Sequence, residues 1–345
     1  MRTKNRALSI ALAFLLVFWA GSSLYAFAQT VGARQPSNMI VAPARGTAAA
    51  GVVRFVALGD MGTGKRAQFA VARGMTVYHG ERPYDTALML GDNIYPQGSA
   101  SDFREKFELP YGELLRRGVR FYASLGNHDV RRGREAQVNY NLFNMGGRSY
   151  YSFTKGDDLV EFFALDSTRM DDEQLRWLAD ALQNSKARWK LAFFHHPLYS
   201  SGKRHGSSEN LRTRLEPLFV SGGVAAVFSG HDHVYERTRP QRGVQYFVSG
   251  AGGKLRRGNI NRRSALFAAG NDAVNSFMYV EVTEDRINFW AVDANGNLLD
   301  GGALRAPGEG QPQGVEKSGM RIRFPTPLTR QERLASKFVT LLTLA

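Results

Sequence analysis

The chain of 345 residues contains no cysteine. This absence excludes a disulfide framework, a thiolate nucleophile and a zinc site with cysteine ligands. The sequence also lacks internal repeats and basic motifs interleaved with aromatic residues, so it favours neither a repeat architecture nor a nucleic-acid-binding protein. Hydrophobic residues make up 43% of the chain, which is enough for one large α/β domain or two small domains.

Acidic residues are in deficit, because 31 Asp and Glu stand against 45 Lys and Arg, for a formal net charge of +14. A basic surface attracts phosphate esters or an anionic envelope, and simple solubility explains it equally well. The expected partner is a small phosphorylated substrate, with no nucleic acid. The N-terminal segment or the basic tail could also contact a membrane or envelope, and no pattern specifies an oligomeric state.

A long apolar run lies at the N-terminus. It spans residues 7 to about 20, follows a basic segment and ends before a small-x-small site at residues 26–28. Residues 1–28 therefore predict a signal peptide, so the protein is expected to be secreted or periplasmic. The alternative is an uncleaved membrane anchor, because weaker apolar residues continue to residue 28 and a membrane span needs about 20 of them.

Composition divides the rest of the chain into three parts. Residues 29–50 are rich in Ala, Gly and Pro and predict a disordered linker. Residues 51–305 carry regular hydrophobic patterns and predict the catalytic domain. Residues 306–345 begin as a Gly/Pro/Gln-rich linker and end as a basic tail, which is either frayed or a helix that docks on a membrane or partner.

Short buried strands alternate with helices over the first part of this domain, and the pattern then becomes all-β. This order predicts an α/β fold of two sheets with flanking helices. A hairpin is expected over residues 149–165. The other predicted strands are 52–58, 86–90, 119–124, 189–194, 224–229, 244–249, 277–283, 286–293 and 298–304, and the helices are 65–78, 171–183 and about 210–220.

Five short motifs stand at the ends of these strands. Single Gly-Asp or Gly-Asn pairs are common in turns, but five in order are hard to assign to chance. Because ligands gather at the carboxyl ends of parallel strands, we expect the motifs to lie together. They are Gly59-Asp60-Met61-Gly62, Gly91-Asp92-Asn93-Ile94-Tyr95, Gly126-Asn127-His128-Asp129, His195-His196-Pro197 and Gly230-His231-Asp232-His233.

The motifs supply carboxylate, phenol, amide and imidazole donors. Hard oxygen ligands combined with imidazole suit Fe, Mn or Zn. Two cations about 3.5–4 Å apart can hold a phosphoester and produce hydroxide near neutral pH, and Asp92 is the candidate bridge between them. The predicted ligands are Asp60, Asp92, Tyr95, Asn127, His195, His231 and His233.

Tyr95 narrows the choice of metal. A phenol with an ordinary pKa of about 10 is a poor ligand for a divalent ion near neutrality. A trivalent ion binds the phenolate strongly enough to offset the free energy needed to deprotonate the phenol, so Tyr95 indicates Fe(III). The alternative is that Tyr95 only packs beside a site with two divalent ions.

Over residues 51–305 the motifs resemble the purple acid phosphatases, in their small animal-type or bacterial form, within the calcineurin-like metallophosphoesterase superfamily. Tyr95, three residues after Asp92 of the second motif, is the feature that narrows the resemblance from the superfamily to this family. The resemblance implies a two-sheet α/β/β/α sandwich of the metallophosphoesterase type, and it selects His195 over His196. It places Fe(III) on Asp60, Asp92, Tyr95 and His233, and a divalent Fe, Zn or Mn on Asp92, Asn127, His195 and His231.

The resemblance also suggests roles for residues that are not ligands. His128 would meet the substrate phosphate, with Asp129 able to orient it. His205 would protonate the leaving group, unless it is only an exposed loop residue. Tyr199 and Arg237 are expected to line the cleft.

The function implied is that of an exported acid phosphatase. A metal-bound hydroxide would attack phosphomonoesters in line at a dinuclear Fe(III)–divalent site. The alternative within hydrolases is a phosphodiesterase or nucleotidase on the same site. The short connection of residues 166–171 predicts an open site, without the long loop of animal-type members.

Two further classes remain open. Residues 59–66 match a P-loop until Arg66 replaces the Ser or Thr that binds Mg²⁺, and an export signal also argues against an ATP-driven enzyme. A metal-stabilised binding protein on the same fold is the non-enzymatic alternative. Such proteins usually lose ligands, whereas none is missing here.

Overall fold

Two mixed β-sheets organise residues 51–306, the part of the chain that the computed structural model describes. The predicted signal peptide (1–28), the linker (29–50) and residues 307–345 of the tail lie outside the described residues. Within residues 51–306, no helix has the length and apolar character needed to cross a membrane.

The described strands are short and mostly buried. In chain order they are β1 (Val53–Leu58), β2 (Thr86–Leu90), β3 (Arg120–Ser124), β4 (Tyr151–Lys155), β5 (Val160–Ala164), β6 (Trp189–Phe193), β7 (Val224–Ser229), β8 (Tyr235–Thr238), β9 (Gln245–Ser249), β10 (Phe267–Asn271), β11 (Ser276–Val282), β12 (Arg286–Asp293) and β13 (Leu298–Arg305).

The described α-helices lie between strands of the first two-thirds of the domain. They are α1 (Arg66–Glu81), α2 (Leu109–Arg116), α3 (Arg134–Val138), α4 (Asp172–Asn184) and α5 (Glu209–Gly222). A π-helical turn, Arg104–Glu108, leads into α2. Short 3₁₀ turns span Ala100–Asp102, Asp129–Arg131 and Asn141–Phe143.

Each sheet combines parallel and antiparallel strands. The first has the order β13-β12-β11-β1-β2-β3, in which β1, β2 and β3 are parallel. The second has the order β10-β8-β9-β7-β6-β5-β4, in which β5, β6, β7 and β9 are parallel. With helices on the outer faces, this is the predicted α/β/β/α sandwich, which is confirmed.

Aromatic side chains fill the space between the two sheets. The Phe55 ring on β1 meets the rings of Phe162 and Phe228 edge-on, with centroids 5.1 and 5.7 Å apart. Phe247 and Phe289 make a similar contact at 4.9 Å. All five rings are buried, and each contributes about 1.5–3 kcal/mol from removal of apolar surface from water.

Helix α4 shows how a local pattern sets an element. Asp171 caps it, because its Oδ1 accepts a hydrogen bond from the Gln174 amide at 3.0 Å. Leu178 and Leu182 share one face and are buried against the second sheet. The predicted helix 171–183 is therefore confirmed to within one residue at each end.

Several elements escaped the sequence patterns. Strands β8 and β10 were not predicted, nor were the helical turns from Ala100 to Arg116. In β8 the charged Glu236 is fully buried, where it accepts hydrogen bonds from the Ser201 amide and hydroxyl. A charged residue in the core breaks the hydrophobic alternation on which strand prediction depends.

Gly62 permits a close approach between the first two motif loops. Its carbonyl oxygen accepts a hydrogen bond from the Tyr95 amide at 2.8 Å. A Cβ atom on Gly62 would lie 1.7 Å from the carbonyl oxygen of Asn93, which is backbone and has no flexible end. Only glycine fits this contact.

Replacing Gly62 with alanine is expected to destabilise the fold. The overlap forces the two loops apart, so we expect Gly62→Ala to lower the free energy of unfolding by about 1–3 kcal/mol. The control is Gly112→Ala, since a Cβ at this position of α2 meets no atom within 4 Å. Urea unfolding of the metal-free proteins measures both, and equal stability of the two variants would contradict the steric argument.

Candidate metal centre

Seven predicted site residues converge where the strand ends of the two sheets face each other. Asp60, Asp92 and Asn127 follow β1, β2 and β3 of the first sheet, with Tyr95 in the loop after β2. Three histidines follow strands of the second sheet: His195 after β6, and His231 and His233 after β7. The structure thus brings together residues spread over more than 170 positions of sequence.

Three of these residues have left-handed backbone conformations. The φ angles are 56° at Asp60, 52° at Asp92 and 69° at His231. Residues with side chains rarely adopt such angles, which cost about 1–3 kcal/mol each and concentrate at functional sites. The strain turns each side chain sharply from the end of its strand toward the centre.

Asp60, Tyr95 and His233 form a first group of donors. The Tyr95 hydroxyl donates to Asp60 Oδ1 at 2.8 Å and lies 3.4 Å from His233 Nε2. His233 Nε2 is 3.3 Å from the same Asp60 oxygen. One phenol, one carboxylate and one imidazole therefore meet at a single point.

Asn127, His195 and His231 form a second group. His195 Nε2 lies 3.1 Å from Asn127 Oδ1 and 3.1 Å from His231 Nδ1. His195 Nδ1 faces the Leu90 carbonyl oxygen at 3.0 Å. Since a carbonyl only accepts hydrogen bonds, Nδ1 carries a proton, and Nε2 is the ring nitrogen that faces the group and would bind a metal.

Asp92 lies between the two groups. Its Oδ1 is 3.6 Å from His195 Nε2 in the second group. Its charge also acts on Tyr95 in the first group, where burial raises the pKa of the phenol far above its ordinary range and the carboxylates of Asp60 and Asp92 raise it further. Asp92 is thus placed to contact both groups.

The carboxylates are buried as well as clustered. Asp60 and Asp92 are 0% and 2% exposed, and His195 is 0% exposed. The ligand atoms of these three residues all lie within 4.8 Å of one another. Burying charged groups this close together is costly unless opposite charge compensates them, as a metal cation does.

The protonation of the cluster follows the same balance. Burial alone would raise the pKa of Asp60, but the hydrogen bond and charge of His233 hold that pKa below its usual range. Burial lowers the pKa of His231 to about 2, and the nearby His195 contributes. His231 is therefore neutral near pH 7, the form in which imidazole binds metals.

The His128 ring packs against Tyr95 of the first group, with ring centroids 4.6 Å apart. The His128 side chain is 23% exposed, with Nε2 4.0 Å from Asp92 Oδ2. Its Nδ1 lies 2.7 Å from the Pro96 carbonyl oxygen, so Nδ1 carries a proton and the ring orientation is set by this bond.

The expected contact between Asp129 and the His128 ring is wrong. Both Asp129 oxygens are buried and accept hydrogen bonds from the amides of Asn93, Ile94 and Gly126 and from the Gln137 side chain, at 2.8–3.0 Å. Burial raises the pKa of Asp129 to about 7, and the charge of Asp92 contributes. Asp129 joins the loops after β2 and β3, and Pro96 orients His128 instead.

His205 is solvent-exposed and lies at the edge of the site. Its ring centroid is 4.2 Å from that of His231. A buried network holds its loop: Asp232 accepts hydrogen bonds from the Ser200 hydroxyl at 2.7 Å and the Gly206 amide at 3.1 Å. This support role of Asp232 was not predicted, although the residue stands between two predicted ligands.

The sequence analysis gave no role to two other residues at the site, of which His196 was considered only as the alternative to His195. His196 packs its ring 4.5 Å from His231, and burial lowers its pKa to about 3. Lys254 places its ammonium nitrogen 3.7 Å from the centroid of the Tyr95 ring. In the sequence, Lys254 is marked only by its position directly after the Gly-rich segment, residues 250–253, that follows β9.

Tyr199 and Arg237 do not line the cleft as expected. The Tyr199 hydroxyl donates to Glu216 at 2.5 Å. Arg237 forms an ion pair with Asp300, with Nε 2.7 Å from Oδ2. Both side chains hold structural elements together away from the predicted ligands.

The P-loop interpretation fails on backbone geometry. A P-loop presents free amides to phosphate. Here the Gly64 amide donates to Gln68 Oε1 at 2.8 Å, and the Thr63 amide donates to the Met61 carbonyl at 2.8 Å. These amides are engaged, and the Asp60 carboxylate fills the centre of the site.

A family model supports the interpretation of the site. The model described as calcineurin-like phosphoesterase matches residues 53–235, more than half of the chain. That match includes the predicted ligands from Asp60 to His233. The family implies a dinuclear metal centre, for which the grouped side chains are the candidate ligands.

Curated relatives narrow the family. The chain is 31% identical over 242 residues to purple acid phosphatase 17 of Arabidopsis thaliana, covering 61% of this chain and 71% of that protein. It is 28% identical over 303 residues to human tartrate-resistant acid phosphatase type 5, covering 75% and 93%.

Solved structures share the fold. A purple acid phosphatase from yellow lupin seeds superposes with a TM-score of 0.61 at 18% identity, over 74% of this chain and 54% of that one. The Plasmodium protein GAP50, described as the anchor in the inner membrane complex, reaches 0.63 at 18% identity, over 80% and 100%. Together with the family match and the curated relatives, these results identify the chain as a calcineurin-like phosphoesterase related to the purple acid phosphatases, and hence as an acid phosphatase.

Proposed function

We propose that this enzyme hydrolyses phosphomonoesters at a centre of Fe(III) and a divalent Fe, Zn or Mn ion. One observation carries the proposal: two donor groups of different chemistry lie on either side of Asp92. The group of Asp60, Tyr95 and His233 contains a phenol, which suits a trivalent ion. The group of Asn127, His195 and His231 offers neutral amide and imidazole donors, which suit a divalent ion.

The side chains fit two cations in this arrangement. Asp60, Tyr95 and His233 would hold the ferric ion, Asn127, His195 and His231 the divalent ion, and Asp92 both. When bound, the cations supply Lewis acidity toward the phosphoryl oxygens and lower the pKa of water. The His195–Leu90 hydrogen bond fixes the tautomer that this role requires.

His128 and His205 complete the proposed chemistry. Because His128 Nδ1 donates to the Pro96 carbonyl, the second ring nitrogen, Nε2, is left for substrate, and in the imidazolium form it would donate a hydrogen bond to an equatorial phosphoryl oxygen. His205 stands across His231, on the proposed leaving-group side, where it would donate a proton to the departing alkoxide. Asp129 contributes by holding the loops that carry Asp92 and Asn127.

Export is part of the proposal. It is supported by the basic and apolar segments of residues 1–28 and the small-x-small site that ends them. The absence of cysteine is compatible with an oxidising compartment, in which free thiols would be a liability.

The first test compares phenyl phosphate with diphenyl phosphate from about pH 4 to pH 9, on protein loaded with iron and zinc. We expect monoester turnover with a maximum on the acid side. A ferric ion lowers the pKa of water more than a divalent ion does, while the leaving group needs a protonated acid. Preference for the diester, or a neutral optimum, would instead favour the phosphodiesterase or nucleotidase alternative.

Removing ligands of the divalent ion should abolish turnover. We expect Asn127→Ala and His195→Ala each to lower kcat/KM more than about 100-fold and to lower the bound metal, with circular dichroism retained. The control is Asn184→Ala, at the exposed end of α4. Near-normal turnover in either site variant would show that the second donor group is not a metal site.

Tyr95→Phe tests the ferric assignment through colour. Phenolate bound to Fe(III) absorbs visible light, so the iron-loaded variant is expected to lose its visible band while it keeps the ring that packs under Lys254. Tyr150→Phe, outside the site, serves as the control and should keep the band. A coloured Tyr95→Phe protein would assign the band to another group.

A further inference from the structure

A basic rim borders one side of the metal centre. We use this name for Arg204, Lys254 and Arg256, which come from the loops after β6 and β9. Lys254 covers the Tyr95 ring at 3.7 Å. None of the three is a predicted metal ligand, and no step proposed above uses them.

Backbone hydrogen bonds fix the part of the rim that follows β9. The Lys254 amide donates to the Asp60 carbonyl at 3.1 Å, and the Arg256 amide donates to the His233 carbonyl at 2.9 Å. Residues Asp60 and His233 are proposed ligands of the same ion. The backbone of Lys254 and Arg256 is therefore hydrogen-bonded directly to the backbone of the proposed metal ligands.

The same loop holds Arg204 and its neighbour His205. The Arg204 amide donates to Asn259 Oδ1 at 3.0 Å, and the Lys203 amide donates to the Asn259 carbonyl at 2.7 Å. His205 then packs on His231. The rim thus continues from Tyr95 on one side to the proposed leaving-group acid on the other.

The rim lacks the acidic partners seen elsewhere in the domain. Other buried or half-buried arginines pair with carboxylates, as Arg134 does with Asp166 and Arg237 with Asp300. Within residues 51–306, no ion pair involves Arg204, Lys254 or Arg256, and the carboxylates whose charges act on Lys254 are Asp60 and Asp92, both proposed metal ligands. The charges of Arg204 and Arg256 both act on His205, which packs on His231, so both arginines lie near this edge of the site.

We propose that the basic rim binds a second anionic phosphate group on the leaving-group side of the substrate, so that the preferred substrates are small phosphomonoesters with a phosphorylated leaving group. This inference rests on the proposed function. A dianionic group near three unpaired cations gains charge-assisted hydrogen bonds. A neutral leaving group leaves the same cations facing water.

The test uses two aryl substrates of nearly equal leaving-group reactivity on the iron- and zinc-loaded full chain. Phenyl phosphate has a neutral leaving group, and 4-(phosphonomethyl)phenyl phosphate adds a second anionic group that cannot be hydrolysed. We expect kcat/KM to be about tenfold higher for the second substrate at low salt, as for one or two charge-assisted contacts, and this ratio to fall as salt rises.

Variants of the rim should remove the preference. We expect Arg256→Gln and Arg204→Gln each to lower the ratio about threefold to tenfold, and Lys254→Gln to do so with the metal content unchanged. The matched control is Arg176→Gln, an exposed arginine of α4, which should keep the wild-type ratio. Thermal unfolding checks that each variant is folded.

A binding measurement separates recognition from turnover. Calorimetry with benzylphosphonate and 1,4-bis(phosphonomethyl)benzene should show tighter binding of the second compound by wild-type protein, and equal binding by Arg256→Gln. If phenyl phosphate is hydrolysed and the ratio of kcat/KM between the two substrates is near one, the rim proposal is overturned while the proposed function stands. Failure to hydrolyse either substrate, with both metals bound, would overturn the proposed function itself.

Discussion

The buried carboxylate of Asp60 is the interaction on which the rest of the site depends. Its Oδ2 accepts the His231 amide at 2.8 Å, while Oδ1 receives the Tyr95 hydroxyl and faces His233. Asp60 belongs to the first sheet, whereas the two histidines belong to the second. A buried anion must be compensated, so this single side chain draws donors from both sheets to one point.

Rigidity follows from how these donors are attached. They stand two to five residues after strand ends, and three of them have left-handed conformations. Asp129 joins two of the loops through four hydrogen bonds. Rearranging loops this constrained would break several of these hydrogen bonds at once. The site is therefore preorganised, so that binding energy can serve the transition state instead of ordering the protein. The basic rim shares this rigidity because its backbone is bonded to the same loops.

Local sequence patterns predicted the regular part of the fold well. Strands such as β2, β7 and β12 have the predicted bounds, because a short hydrophobic run between turn residues is local information. The patterns failed at β8, where buried Glu236 depends on Ser201 from a distant loop. They also failed from Ala100 to Arg116, where 3₁₀, π and α turns follow one another and carry no single period.

The sequence by itself determined which donors are present and that they stand at strand ends, because residue type and hydrophobic spacing are properties of the chain. Only the tertiary structure decided their partners. It placed Asp92 between the two groups, gave Asp129 to backbone amides rather than to His128, and set Lys254 over Tyr95. Such pairings join residues far apart in sequence, and burial and charge balance select them only after the two sheets have packed.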